Sequence, residues 1–171
     1  MSEDKGVARF LERTAKHALQ VREMSETTHT AVEAAAAVGA PVEAIVKSLV
    51  FSVGGEPLLI LVSGPNRVNT ELVAQHLGAD LEKADAQMVK DASGYSIGGV
   101  PPFGHSTQMR CLMDEDLLAL EEVWAAAGSA RAVFPIAPDR LRELSGAELI
   151  RVHEPLDFFY RDRWASPAPV F

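Results

Sequence analysis

The chain has 171 residues, of which 47% are hydrophobic and 23% charged, enough apolar material for one buried core and an ordinary soluble composition. Its formal charge of -8 and the lack of any visible Lys/Arg cluster exclude a protein that coats nucleic acid, leaving room only for contact with a few phosphates. The start is polar and acidic, and nowhere do eighteen apolar residues run on uninterrupted. Neither a secretory leader nor a membrane span is therefore expected.

Residues 7–18 carry Val7, Phe10, Leu11, Ala15 and Ala18 on roughly one helical face, which predicts a first helix. A short strand is expected at 19–24. Ser25, Glu26 and Thr27 offer capping chemistry for a second helix through residue 38, which Gly39 ends. Pro41 opens a further short turn. The runs 49–53 and 57–62, separated by Gly54, Gly55 and Glu56, predict a β-hairpin whose near-continuous hydrophobicity suits central strands.

Asn69 or Thr70 caps a helix that Gly78 stops, and another helix is expected over 84–91. Strands follow at 107–113 and 131–136, with 116–122 as a helical or mobile turn and 123–127 as a short strand or helix. Pro138 opens a last helix ending near Gly146, and 149–152 reads as the final strand. The pattern predicts one α+β domain over 1–153, with a central, mixed, largely antiparallel sheet surrounded by helices. Residues 154–171, with Phe158, Phe159, Tyr160 and Trp164 among prolines, form a separate tail.

The segment from Ser93 to His105 holds Gly94, Gly98, Gly99 and Gly104 together with Pro101 and Pro102. Glycine lets a ligand approach the backbone, while proline fixes φ, so the loop is stiff and offers main-chain donors to an oxyanion or a phosphate. A tight connection between helix and strand accounts for the same composition. The spacing is not that of a P-loop or a dinucleotide fingerprint.

Lys47 stands just before the hairpin, where a lysine either reaches solvent or is held in a cleft by an anionic or carbonyl partner. His105 is an acid, a base or a loop brace. Cys111 lies in an apolar run and reads as a core residue; as the lone cysteine it forms no internal disulfide and agrees with a reducing cytoplasm. The histidines show no paired ligand spacing, so no structural metal and no cofactor are expected.

Ile45 to Phe51 around Lys47, then Gly94-Tyr95, then Gly98-Gly99-Val100-Pro101-Pro102-Phe103-Gly104, and lastly Met113-Asp114 resemble the YbaK and prolyl-tRNA synthetase editing-domain superfamily. The resemblance covers about 19–152. It implies a metal-free hydrolase of mischarged aminoacyl-tRNA that works in trans, on Cys-tRNA(Pro) or Ala-tRNA(Pro), and relies on positioning instead of a protein nucleophile. The partners it implies are the 3′ end of aminoacyl-tRNA and, as an open alternative, prolyl-tRNA synthetase.

On this resemblance Lys47, Gly98, Gly99 and Pro102 are the catalytic residues. Ser48, Gly94, Tyr95, Val100, Pro101, Phe103, Gly104, His105 and Asp114 contact substrate. Ser48 stands where alanine-editing members tend to carry asparagine, which favours the cysteine-removing branch, and His105 replaces an expected glutamine. A non-catalytic module holding a nucleotide, an amino-acid derivative or a protein is the rival reading.

Overall fold

The computed structural model describes residues 4–153; the proposed 154–171 tail lies outside the described residues. The chain opens with α1 (Lys5–Arg13), whose first amides, those of Gly6 and Val7, are capped by the Asp4 carboxylate at 2.9 and 3.2 Å. After β1 (Arg22–Glu23) comes α2 (Ala31–Val38). Its cap is Thr30 instead of the expected 25–27 segment. The Thr30 hydroxyl accepts from the amide of Glu33 at 3.1 Å, the spacing at which a cap oxygen meets a free helix-start donor.

The hairpin consists of β2 (Val46–Val53) and β3 (Glu56–Ser63). Gly54 and Gly55 take φ of 58° and 82°, the paired left-handed conformation of a two-residue hairpin turn. The first strand begins three residues earlier than anticipated, so Lys47 lies within it, opposite Val62, and not ahead of it. Then follow α3 (Thr70–Leu77), β4 (Glu82–Lys83), α4 (Ala86–Ser93), β5 (Arg110–Asp114), β6 (Val123–Ala126), β7 (Ala132–Ile136), α5 (Pro138–Ser145) and β8 (Glu148–Ile150). No helix among the described residues is long and apolar enough to cross a membrane.

The α+β class is as expected, but the strands divide between two sheets. One runs β4-β2-β3-β5-β8 and the other β1-β7-β6. Within the larger, β3 is antiparallel to β2 and parallel to β5, and it is the most enclosed strand, with Leu58 to Val62 all 2% exposed or less. A parallel bridge between Ile45 and Trp124 joins the sheets, setting β6 beside the start of β2.

Alternation along the strands gives the larger sheet two apolar faces. Val46, Leu59, Leu61 and Met113 point toward Phe10 of α1 and toward Tyr95, Val100, Phe103 and Phe134. Leu58, Ile60, Val62 and Leu112 point the other way, onto Val73 of α3 and Ile150. A third cluster packs Ala31, Ala34 and Ala35 of α2 on Ile45, Trp124 and Val133. Truncating a residue such as Ile60 to alanine in so enclosed a layer costs about 2–5 kcal/mol.

Candidate active site

Lys47 is 1% exposed. Strand alternation puts it on the face of Leu49 and Phe51, the face that packs on α3, and its Nζ donates to the main-chain carbonyl of Asn66 at 2.5 Å. Burial, chiefly, and the nearby Arg67 pull its pKa from 10.5 down to about 8, with Asp114 opposing. Among the described residues no carboxylate lies within ion-pair distance of it. A cation buried with one neutral partner is costly, and such groups gather at functional sites.

Asn66 connects the lysine to an acidic network. Its side-chain amide donates to Asp114 at 2.7 Å and to Asp116 at 2.8 Å. Asp114 also accepts from the amides of Ser63 at 3.1 Å and Asp116 at 3.0 Å. Burial raises its pKa while those donors lower it, and the net is upward. Its oxygens are thus occupied by three donors, and its hydrogen-bonded link to Lys47 runs through Asn66.

Asp114, Asp116 and His153 bring three ligand-type atoms within 4.8 Å of one another, the one such group among the described residues that could hold a metal ion. In the structure these groups hydrogen-bond to each other and to protein amides, His153 meeting Asp116 at 2.9 Å. Asn66, Asp116 and His153 all escaped the sequence reading. Asp116 and His153 lie 50 and 87 residues beyond Asn66 along the chain, and no spacing rule joins them.

Ser48 follows Lys47 on the opposite face. It is 2% exposed, and its Oγ has no hydrogen-bond partner among the described residues. Such a hydroxyl costs about 1–3 kcal/mol unless something bonds to it.

The glycine-proline loop is held from three sides. Gly94 ends α4 with φ of 86°, and its carbonyl accepts from the Arg9 guanidinium. Tyr95 is 1% exposed and donates through its hydroxyl to the Gly104 carbonyl at 2.9 Å, which Arg13 also reaches at 3.1 Å. Arg9 and Arg13 stand 6.0 and 5.7 Å from the Tyr95 ring centre. Val100 and Phe103 lie in the core, Phe103 edge-on to Phe134 at 5.7 Å. The side chains of Tyr95, Val100 and Phe103 are thus buried anchors that fix the path of the loop, and it is their main chain that borders the site.

Gly98 takes φ of 94° and Gly104 φ of 81°, both left-handed. Gly99 has a different reason to be glycine: a Cβ there would stand 2.5 Å from the Ser129 Cα, closer than two carbons pack. Its amide donates to the Ser96 carbonyl and its carbonyl accepts from Gly128. The amides of Gly98 and Val100 have no hydrogen-bond partner among the described residues. Pro101 and Pro102 are buried, and His105 closes the loop, its Nε2 donating to the Pro101 carbonyl at 2.6 Å. Burial lowers the pKa of His105, so the ring favours its neutral form.

Lys47 and the loop thus do not touch each other. They belong to opposite faces of the hairpin and are linked through β6, which lies beside β2 at Ile45 and leads into the Gly128-Ser129 turn packed on Gly99. That turn was not singled out in the sequence, although a glycine with φ of 105° at residue 128 marks it. Cys111 is a buried strand residue, its thiol pushed up to about 12 by burial.

The expectation of no basic cluster also requires correction. Lys5, Arg9 and Arg13 fall at intervals of four on α1 and face the loop, and Lys90 of α4 lines the same cavity as Lys5 and Arg9. Intervals of four on a helix were the available signal.

Comparison with known proteins agrees with this architecture. The family model described as "Aminoacyl-tRNA editing domain" matches residues 25–144. A solved structure provisionally described as a trans-editing enzyme for prolyl tRNA synthetase superposes with a TM-score of 0.85 at 41% identity, covering 90% of this chain and 100% of that one. The uncharacterized protein YwhH of Bacillus subtilis is 29% identical over 126 residues, 73% of this chain and 80% of YwhH. A proline--tRNA ligase of Nitratidesulfovibrio vulgaris is 36% identical over 90 residues, which span 52% of this chain but 16% of the ligase.

Proposed function

Since the chain belongs to the aminoacyl-tRNA editing domain family, we propose that it is a deacylase acting in trans on mischarged tRNA, with Cys-tRNA(Pro) or Ala-tRNA(Pro) as its substrate. The observation that carries the reading is Lys47, an ammonium buried at 1% exposure with a single carbonyl partner. Nothing in the packing of the core calls for a charge there, whereas an anionic or strongly polarised ligand group would relieve its desolvation.

The reaction is attack of water on the ester carbonyl, expelling the ribose oxygen. Lys47, on the other face of the hairpin from the loop, holds the terminal adenosine phosphate, a group separate from the ester that the loop takes. The unpartnered amides of Gly98 and Val100 are the donors for the oxyanion that forms as the carbonyl carbon becomes tetrahedral. Pro101 and Pro102 lack an amide hydrogen, which leaves those two donors without neighbours competing for the same acceptor, and Gly99 seats the loop on Ser129. The hydroxyl of Ser48, without a partner among the described residues, is available to the amino-acid moiety. Positioning and preorganised dipoles then supply the rate, with no covalent intermediate.

The test is a panel of tRNAs charged with Cys, Ala, Ser, Thr and Pro, with Lys47→Ala as control. Hydrolysis of the cysteinyl or alanyl ester, lost in the variant, is expected. Turnover of none of the five would overturn the enzyme reading in favour of a binding module.

A further inference from the structure

We propose that the cavity between α1, α4 and the glycine loop binds a backbone phosphate of the single-stranded RNA leading to the aminoacyl ester, an assignment that rests on the deacylase function proposed for the chain. The cavity has a volume of about 480 Å³ and is lined by Lys5, Arg9, Lys90, Gly99 and Ser129 among others. Three cations from two helices therefore converge on one opening in a chain whose net charge is -8. Lys5 and Lys90 are exposed, and neither they nor Arg9 form an ion pair with a carboxylate among the described residues. The one carboxylate lining the cavity, Asp4, spends Oδ1 on the first amides of α1.

The floor of the cavity is backbone. A Cβ on Gly6 would lie 2.0 Å from the Gly128 oxygen, and one on Gly99 2.5 Å from the Ser129 Cα, so three segments of main chain meet where side chains have no room. With no side chain in the way a ligand can approach this floor closely; the Gly99 and Gly128 amides are spent within the fold, so the attraction for an anion comes from Lys5, Arg9 and Lys90, with the Ser96 and Ser129 hydroxyls at hand. The space exceeds that of a bare phosphate and accommodates a phosphate with its ribose. Ile97, 59% exposed at the margin, offers the apolar contact that a sugar or base edge can use.

Location decides which phosphate. Gly99 lines the cavity on one side, while its neighbours Gly98 and Val100 carry the amides assigned to the ester, so a strand seated here enters the site from its 5′ side. Surface carboxylates elsewhere repel RNA, and a local cation group makes this approach the favoured one.

The experiment measures fluorescence anisotropy of an uncharged RNA hairpin with an unpaired 3′ tail, over a series of salt concentrations, for the wild type and for Lys5→Glu/Lys90→Glu. Because the RNA carries no ester, the outcome does not depend on hydrolysis, and a failed deacylation panel leaves this readout intact. In the variant Kd is expected to rise about tenfold, and the slope of log K against log salt to flatten by about 0.7 for each phosphate that the protein no longer neutralises. Lys5→Arg/Lys90→Arg, which keeps both charges, should restore the affinity. An unchanged Kd and slope in a charge-reversed variant with a wild-type melting curve would overturn the proposal. So would competition by inorganic phosphate or adenosine monophosphate as effective as the RNA itself, which would assign the cavity to a free anion.

Discussion

Lys47 and Asp114 share one face of the sheet yet meet only through Asn66, whose main-chain carbonyl takes the ammonium while its side-chain amide serves the carboxylate. One turn residue thus holds two buried groups of opposite charge apart, each with its own hydrogen bond. The arrangement keeps the ammonium from being neutralised by its nearest buried carboxylate.

Replacing Asn66 with Leu removes two donors, one to Asp114 and one to Asp116, and leaves the Lys47 contact to the main chain in place. A loss of about 1–3 kcal/mol is expected, because the buried Asp114 carboxylate is left with only the amides of Ser63 and Asp116. Chemical denaturation checks it, and a midpoint within error of the wild type would contradict the network.

Lys47→Met is expected to stabilise the fold while ending turnover. A pKa brought from 10.5 to about 8 corresponds to roughly 3 kcal/mol held against the charged form at neutral pH, of which about 1–2 kcal/mol survives loss of the Asn66 hydrogen bond. The sign has a second consequence. Between about pH 8 and 10.5 the unfolded chain binds the proton and the folded one does not, so wild-type stability rises across that window. Equal pH slopes for the wild type and the methionine variant would remove Lys47 as the cause.

If the ammonium form of Lys47 holds the substrate, enzymatic deacylation declines as pH rises through about 8, after subtraction of spontaneous ester hydrolysis. Single-turnover rates between about pH 6.5 and 9.5 test this, and a corrected rate that continues upward past pH 8 argues against a cationic role.

Two adjacent glycines should fail for different reasons. Gly99→Ala drives a methyl into the Ser129 backbone and is expected to cost more than about 2 kcal/mol and to displace the loop. Gly98→Ala meets nothing nearer than the Ala130 Cβ at 3.8 Å, so its cost is the left-handed backbone alone, about 1–2 kcal/mol. Paired melting curves and kcat values separate the two, and the reverse order would refute the close approach.

His105→Gln should keep both rate and pH dependence, because glutamine can still donate to the Pro101 carbonyl, whereas His105→Ala loses about 1 kcal/mol and slows turnover. Since burial lowers the His105 pKa, the stability it lends is present above the ordinary histidine value and lost as pH falls through the lower, folded one. A changed pH–rate profile in the glutamine variant would restore a role in proton transfer.

Punctuation made much of the fold legible in the sequence. Gly39, Gly78 and Gly146 each end a helix in the left-handed conformation, and Gly54-Gly55 turns the hairpin, at the positions where local chemistry places them. Of the two-residue strands, Arg22–Glu23 falls inside the short strand expected at 19–24, whereas Glu82–Lys83 resisted reading, because its pairing with Phe51 and Ser52 is a contact that no local pattern encodes. Lys47 drew notice by resemblance, but its burial depended on the register of β2 against β3, and its partner Asn66 on the turn that follows. The cations of α1 were passed over as the polar side of an amphipathic helix, which they are; only the fold sets Lys90 near them.

The contact between Gly6 and Gly128 also orders events in time. A nine-residue helix such as α1 is marginal by itself, and the turn against which Gly6 closes is made more than a hundred residues later. At ribosomal rates that interval is on the order of ten seconds, during which the β2–β3 hairpin can form but the glycine loop has no Gly128-Ser129 turn to rest on. The nascent chain therefore acquires its site only once residues 128–129 have been made, and a chain cut short before them would carry Lys47 without the loop seated.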